Sequence, residues 1–137
     1  MKVFFDNNLS PHLAHAMREL SKPDDVPVDV VHLVDRFARN ERDTVWIETL
    51  ASEGDWVVIS EDRFAKSDEE REAVRRSGLI VFTLDKVWNK QRHWPKAANL
   101  VRWWPAIIDQ ASRIAGGAAF RVPWRLSGKG RFEQIRF

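Results

Sequence analysis

The chain has 137 residues, 44% apolar and 31% charged, with seven Trp, eight Phe and no Cys. That length suits one domain able to bury a core. The aromatic content excludes a solvated coil, and the missing thiols exclude a disulfide framework and a thiolate zinc site. No apolar run reaches the ~18–20 residues of a membrane span. Charge and Asn appear in MKVFFDNNL too early for a secretory signal, so a cytoplasmic protein is expected.

The elements follow in chain order from period and punctuation. Lys2 to Phe5 is a short apolar strand. Ser10-Pro11 reads as an N-cap followed by Pro at the first helical position, with Leu13, Ala16, Met17 and Leu20 at helical spacing. The segment SKPDDVP is a loop. Val28 to Val34 is a nearly continuous β-branched strand, as in a sheet covered on both faces. Asp43 is expected to cap a helix carrying Val45, Trp46, Ile47, Leu50 and Ala51, which Gly54 ends. Trp56 to Ile59 is a third strand. Ser67 and Glu70 form a capping box for a short charged helix ending at Gly78, and Leu79 to Leu84 is a fourth strand. After Pro95 a helix is expected from Lys96 to Ile114, kinked or divided at Pro105 and broken at Gly116-Gly117. The tail from Phe120 to Phe137 reads as a hairpin or arm turning at Ser127 to Gly130. Strand–helix alternation with short connections predicts an α/β fold with a mainly parallel central sheet, helices on both faces, and a basic helix and tail at the C-terminal side.

The net charge of +2 conceals a division. Residues 1–85 carry 11 basic and 18 acidic side chains, while residues 86–137 carry 11 basic and only 2 acidic, together with five of the seven Trp. Basic residues interleaved with aromatics suit a polyanion with bases to stack on. Mutual electrostatic complementation of the two halves is the simpler alternative.

Acids recur where the strands end: Asp6 after the first, Asp35 after the second, Asp62 after the third and Asp85 after the fourth, with Asp43 opening a helix. Successive parallel strands bring their carboxyl ends to one edge, where open α/β sheets bind ligands. Carboxylates gathered there repel one another unless a cation neutralises them, and an oxygen-only set suits Mg²⁺ or Mn²⁺. Asp43 as a plain cap and Asp35 as a plain loop residue are the structural alternatives. Asn8 and Ser60 stand beside these acids as neutral hydrogen-bonding groups. The four His do not form a metal-binding pattern. His12 and His15 are neighbours on a helix, His32 lies within a strand, and His93 sits among basic residues.

The stretches FFDNNLSPHLAHAMREL, HLVDRFARNERDTVWIETLA and DWVVISEDRF together resemble the PIN-like nucleases, especially the compact branch that includes VapC-type toxins. The resemblance covers roughly residues 2–88, the acidic α/β part of a single 137-residue domain whose remainder, 89–137, is the basic extension. It implies a three-layer PIN-like fold and a metal-dependent endoribonuclease, the toxin of a type II toxin–antitoxin pair. In that reading Asp6, Asp43 and Asp62 hold Mg²⁺ or Mn²⁺, Asp85 is the fourth ligand by position, and Glu48 and Asp35 stand behind it. Many relatives carry a second Asp before the Phe of the third-strand turn; here that position is Arg63, which bears on whether two metals bind.

Lys86, Lys90, Arg92, Lys96 and Arg102 are the candidates to hold RNA, with Trp88 and Trp94 as stacking platforms and Trp103 and Trp104 as core. An antitoxin peptide whose Arg enters the carboxylate cluster is the partner the resemblance implies, and a homodimer is a further possible assembly. Two other readings compete. One is a PIN-like module that binds RNA or protein without catalysis. The other is a phosphoacceptor receiver using Asp62 with Thr83 and Lys86, against which stands Asn7-Asn8 where receivers have an acidic pair.

Overall fold

The structure, a computed structural model, describes residues 1–64 and 67–137. Its elements, in chain order, are β1 (Lys2–Phe5), α1 (Pro11–Ser21), β2 (Asp29–His32), α2 (Leu33–Arg36), α3 (Asp43–Glu53), β3 (Trp56–Ser60), α4 (Asp68–Ser77), β4 (Ile80–Leu84), α5 (Lys86–Asn89), α6 (His93–Ser112), β5 (Ala118–Val122) and β6 (Glu133–Ile135). They build one six-stranded sheet in the order β2-β1-β3-β4-β5-β6. The first five strands run parallel and β6 pairs antiparallel with β5.

The strands are apolar on both faces, as a sheet sandwiched between helices requires. Val3, Phe5, Val57, Ile59, Phe82 and Phe120 meet α1 and α6 in one core cluster, which holds Leu13, Met17, Leu100, Trp103 and Ile107. Phe4, Val58, Val81 and Ala119 face the other way and meet α3 and α4 through Trp46, Ile47, Leu50 and Val74. The result is the three-layer, mainly parallel α/β arrangement that the alternation predicts. No helix among the described residues is long and apolar enough to cross a membrane.

Several boundaries differ from the sequence reading, each for a local reason. β2 stops at His32 rather than Val34 because the Asp35 carboxylate turns back to accept the His32 amide at 2.8 Å, closing the short α2. Arg42, not Asp43, is the N-cap of α3, without a side-chain capping bond; Asp43 is the first helical residue, where its charge suits the helix dipole. α6 begins at His93, since Pro95 lies in the first turn, where a missing N–H is not required. Pro105 does not divide α6, which runs through it for 20 residues. Val101 and Pro105 are both exposed, so water can reach the carbonyl that Pro leaves without its helical donor. The tail is a hairpin in part, but β5 also joins the sheet in parallel with β4, from Ile80↔Ala118 to Leu84↔Val122.

Candidate functional site

The order β2-β1-β3 makes the boundary between β1 and β3 the switch point of the sheet, where a crevice opens at the carboxyl edge. Asp6 leaves β1 there, its amide continuing the ladder to the Ile59 carbonyl at 3.1 Å. The Asp6 carboxylate is buried, at 4% exposure. One oxygen accepts from the Asn7 amide at 2.6 Å and the other from the Ser60 hydroxyl at 2.8 Å. Burial pushes the Asp6 carboxyl up to about 6 against the pull of those two hydrogen bonds, and repulsion from Asp43 and Asp62 adds to the rise.

Ser60 is the hub of this edge. It is fully buried and donates to Asp6, while its oxygen accepts the Asp62 amide at 2.8 Å. The Asp62 carboxylate accepts the Phe64 amide at 3.0 Å, and the two turns in series curl the chain back over the edge. Phe64 sits at φ 54, a left-handed conformation unusual for a bulky residue. It is held there by burial of its ring, edge-on to Trp46 at 5.9 Å. Asn8 ties the loop after β1 to the loop after β3, accepting the Glu61 amide at 3.1 Å.

Asp43 approaches from the start of α3, where the Trp46 indole N–H donates to it at 3.0 Å. Glu70 approaches from the first turn of α4. Asp43, Asp62 and Glu70 each place one carboxylate oxygen within 4.8 Å of the others. Three converging hard oxygen donors, with Asp6 close enough to feel two of them, fit a small divalent cation such as Mg²⁺ or Mn²⁺ and do not fit a soft metal.

Glu70 was not among the candidates, because the sequence assigns it to the capping box with Ser67. Ser67 does cap α4, accepting the Glu70 amide at 3.1 Å. The Glu70 side chain belongs to the carboxylate group instead. The signal was available: Glu70, Ala73 and Val74 follow helical spacing, which puts the acid on the buried face of an otherwise charged helix.

The other candidate acids lie elsewhere. Asp85 caps α5, accepting the Val87 amide at 2.9 Å, and is not in the converging group. Asp35 is engaged with the His32 amide and, at 3.0 Å, the His15 ring. Burial opposes its charge, but these partners hold its carboxyl below the usual range. Glu48 is exposed on α3. His32 is a satisfied core residue: Nδ1 accepts the Val34 amide at 3.1 Å and Nε2 donates to the Leu9 carbonyl at 2.7 Å, which anchors the loop after Asp6. Burial lowers its pKa, consistent with a neutral ring.

Of the expected nucleic-acid contacts, Lys86, Lys90 and Arg92 are exposed, as is Arg102, and Trp94 is 79% exposed. Trp88 corrects the expectation. It is fully buried, donates its indole N–H to the Val122 carbonyl at 3.0 Å and meets Trp124 edge-on at 4.8 Å. Flanking Lys and Asn gave it a surface look, but a four-residue helix buries one face only, and Trp88 is that face. Trp103 and Trp104 are core, as expected. Lys96 is a second correction: it is ion-paired with Glu61, with side chains only 14% and 9% exposed. The pair ties α6 to the loop that carries Asp62. Lys96→Met is expected to cost about 2 kcal/mol by stranding the Glu61 charge, less than the 3–5 of a fully enclosed pair. Adding Glu61→Gln should recover most of that loss in urea unfolding, and a double variant less stable than either single one would contradict the pairing.

The family model described as PIN like domain matches residues 1–86. Neither a curated protein nor a solved structure matches the chain.

Proposed function

The chain belongs to the PIN-like domain family, and on that premise we propose that it is a metal-dependent endoribonuclease. The observation that carries this reading is the convergence of Asp43, Asp62 and Glu70 beside buried Asp6 at the carboxyl edge of the sheet. Asp43, Asp62 and Glu70, with Asp6 beside them, would hold Mg²⁺ or Mn²⁺, which when bound would supply charge neutralisation at a phosphodiester and a lowered pKa for water. The chain's own part is positional. Ser60 orients the Asp6 carboxylate, Trp46 orients Asp43, and the paired turns at Ser60 and Asp62 fix the loop between them. No His is needed for this chemistry.

RNA is the proposed substrate because the exposed Trp94 ring, free to stack on a base, and the exposed Lys86, Lys90 and Arg92 follow β4 near this edge. Trp94→Ala should weaken single-stranded RNA binding, since stacking contributes about 1–3 kcal/mol per base. A role as the toxin of a toxin–antitoxin pair, blocked by a small protein whose Arg enters the carboxylate group, is the biological setting we propose with it. Recovery of no small partner from the native host would count against that setting.

The deciding experiment is cleavage of total RNA with Mn²⁺ or Mg²⁺, with and without EDTA, alongside Asp62→Asn and Glu70→Gln. Metal-dependent cutting is expected, and each variant should lose at least about a hundredfold, as removing one group that stabilises transition-state charge commonly does. RNA binding without cutting by the wild type, at any metal concentration, would instead favour a PIN-like module that holds RNA without catalysis.

A further inference from the structure

A cleft of about 320 Å³ lies on the α3/α4 face of the sheet and is lined by Arg63, Arg71, Arg121, Arg136 and Thr83. Ile135 and Phe137 complete the lining, and no Asp or Glu side chain is among the described residues that form it. Arg121 is braced by Glu133 at 2.9 Å, while Arg63, Arg71 and Arg136 make no ion pair among the described residues. Thr83 is 3% exposed, and its hydroxyl has no hydrogen-bond partner among the described residues. A buried hydroxyl without a partner is costly, and four guanidinium groups around one cleft repel one another. Both penalties vanish together if an anion rich in oxygen acceptors enters. Phosphate is the anion that guanidinium forks and a hydroxyl donor match best.

The register fixes where this cleft stands. Ser60 pairs with Thr83, and Thr83 with Arg121. The three therefore form one row on one face of the sheet, with neighbouring strands about 4.8 Å apart. Ser60 touches Asp6, so the row runs from the residue that holds Asp6 to Arg121, about 10 Å between the backbones of Ser60 and Arg121. The loop and helix that supply the acids supply the bases too: Arg63 follows Asp62, and Arg71 follows Glu70.

We propose that this arginine cleft is a phosphate-binding subsite that grips the backbone of a single-stranded nucleic acid beside the carboxylate edge. The choice of nucleic acid as the source of the phosphate rests on the nuclease reading. The cleft lies on the opposite face of the sheet from α6, so it is separate from the surface of Lys86, Arg92 and Trp94. It also gives Arg63 a role at a position where a second acid was expected: it serves the substrate's charge rather than a metal's.

The test is fluorescence anisotropy of a short labelled single-stranded RNA in EDTA, where nothing is cut, across a salt series. Arg71→Gln and Arg136→Gln are each expected to weaken binding about tenfold, as loss of a charge-assisted hydrogen bond does. Each should also lower the slope of log K against log salt by about 0.7. Thr83→Val should weaken binding severalfold without lowering Tm, which a merely structural hydroxyl would not do. Arg113→Gln, at the far end of α6, should change nothing.

The same RNA with a 5′-phosphate or a 5′-hydroxyl tells the source. A preference for the phosphorylated strand places a terminal phosphate in the cleft, and equal affinity places an internal one there. Wild-type protein that binds no RNA at low salt, or arginine variants with wild-type affinity and slope, would overturn the proposal. Cutting with Mn²⁺ is read separately. An arginine effect without any cutting keeps the subsite and removes the nuclease reading, and cutting indifferent to the arginines does the reverse.

Discussion

Asp6→Asn is expected to abolish metal-dependent RNA cleavage and, in the same protein, to raise thermal stability at neutral pH. The loss of cleavage should be roughly a thousandfold or more, because a cation clamp contributes several kcal/mol to charge stabilisation and each 1.4 is tenfold. The gain in stability follows from burial. The Asp6 carboxyl rises from 3.8 to about 6 in the folded protein, chiefly because burial disfavours its charge. Between those two values the folded state binds more protons than the unfolded one, so stability falls as pH rises from about 4 to about 6 and stays lowered above that. The full penalty at pH 7 to 8 is on the order of 2–3 kcal/mol.

An Asn keeps the shape without the charge, and its amide can donate to Ser60, whose hydroxyl otherwise donates to Asp6 at 2.8 Å. In EDTA the variant should therefore melt a few degrees above the wild type at pH 8, with the gap closing by pH 4. Adding Mn²⁺ should reverse the order, because ligand binding to the folded state stabilises the wild type more. A variant that keeps cutting RNA, or one that melts below the wild type at pH 8 in EDTA, would sink the assignment of Asp6 to the site.

Trp88→Ala is expected to destabilise the protein by about 3–5 kcal/mol, the range for emptying a fully buried aromatic position. The indole is completely enclosed, hydrogen-bonded to Val122 and packed edge-on against Trp124. Its loss would loosen the junction between α5 and the end of β5, and with it the hold of the C-terminal half on the sheet. Trp94→Ala is the matched control. That ring is 79% exposed, and its truncation should leave stability within about 0.5 kcal/mol. Urea unfolding of the two variants distinguishes them directly. Equal stability for both would mean that Trp88 is not the buried anchor of that junction.

The sequence by itself determined the layers. Near-continuous apolar strands separated by amphipathic helices leave only a covered parallel sheet, so β1, β3, β4, α1 and α3 were legible to within a residue or two. Parallel strands also put their carboxyl ends on one edge, which made Asp6 and Asp62 candidates from position alone. Asp43 came from a local cap signal and from resemblance together, and the N-cap position proved to be Arg42's, without a side-chain cap.

What only the tertiary structure decided is which charged groups share a space, because that depends on register and helix orientation. Glu70 looked like half of a capping box, and only the packing of α4 against α3 brings its carboxylate to Asp43 and Asp62. Asp85 occupied an equivalent place after its strand, yet the backbone of α5 claims it as a cap. Arg121 and Arg136 lie more than 40 residues after Arg71 in the chain, and they meet it because β5 and β6 complete the same sheet. A capping hydrogen bond is local and its signal lies within a few residues. A cluster of like charges is non-local and energetically opposed, so no short stretch of sequence announces it, and the fold must bring its members together.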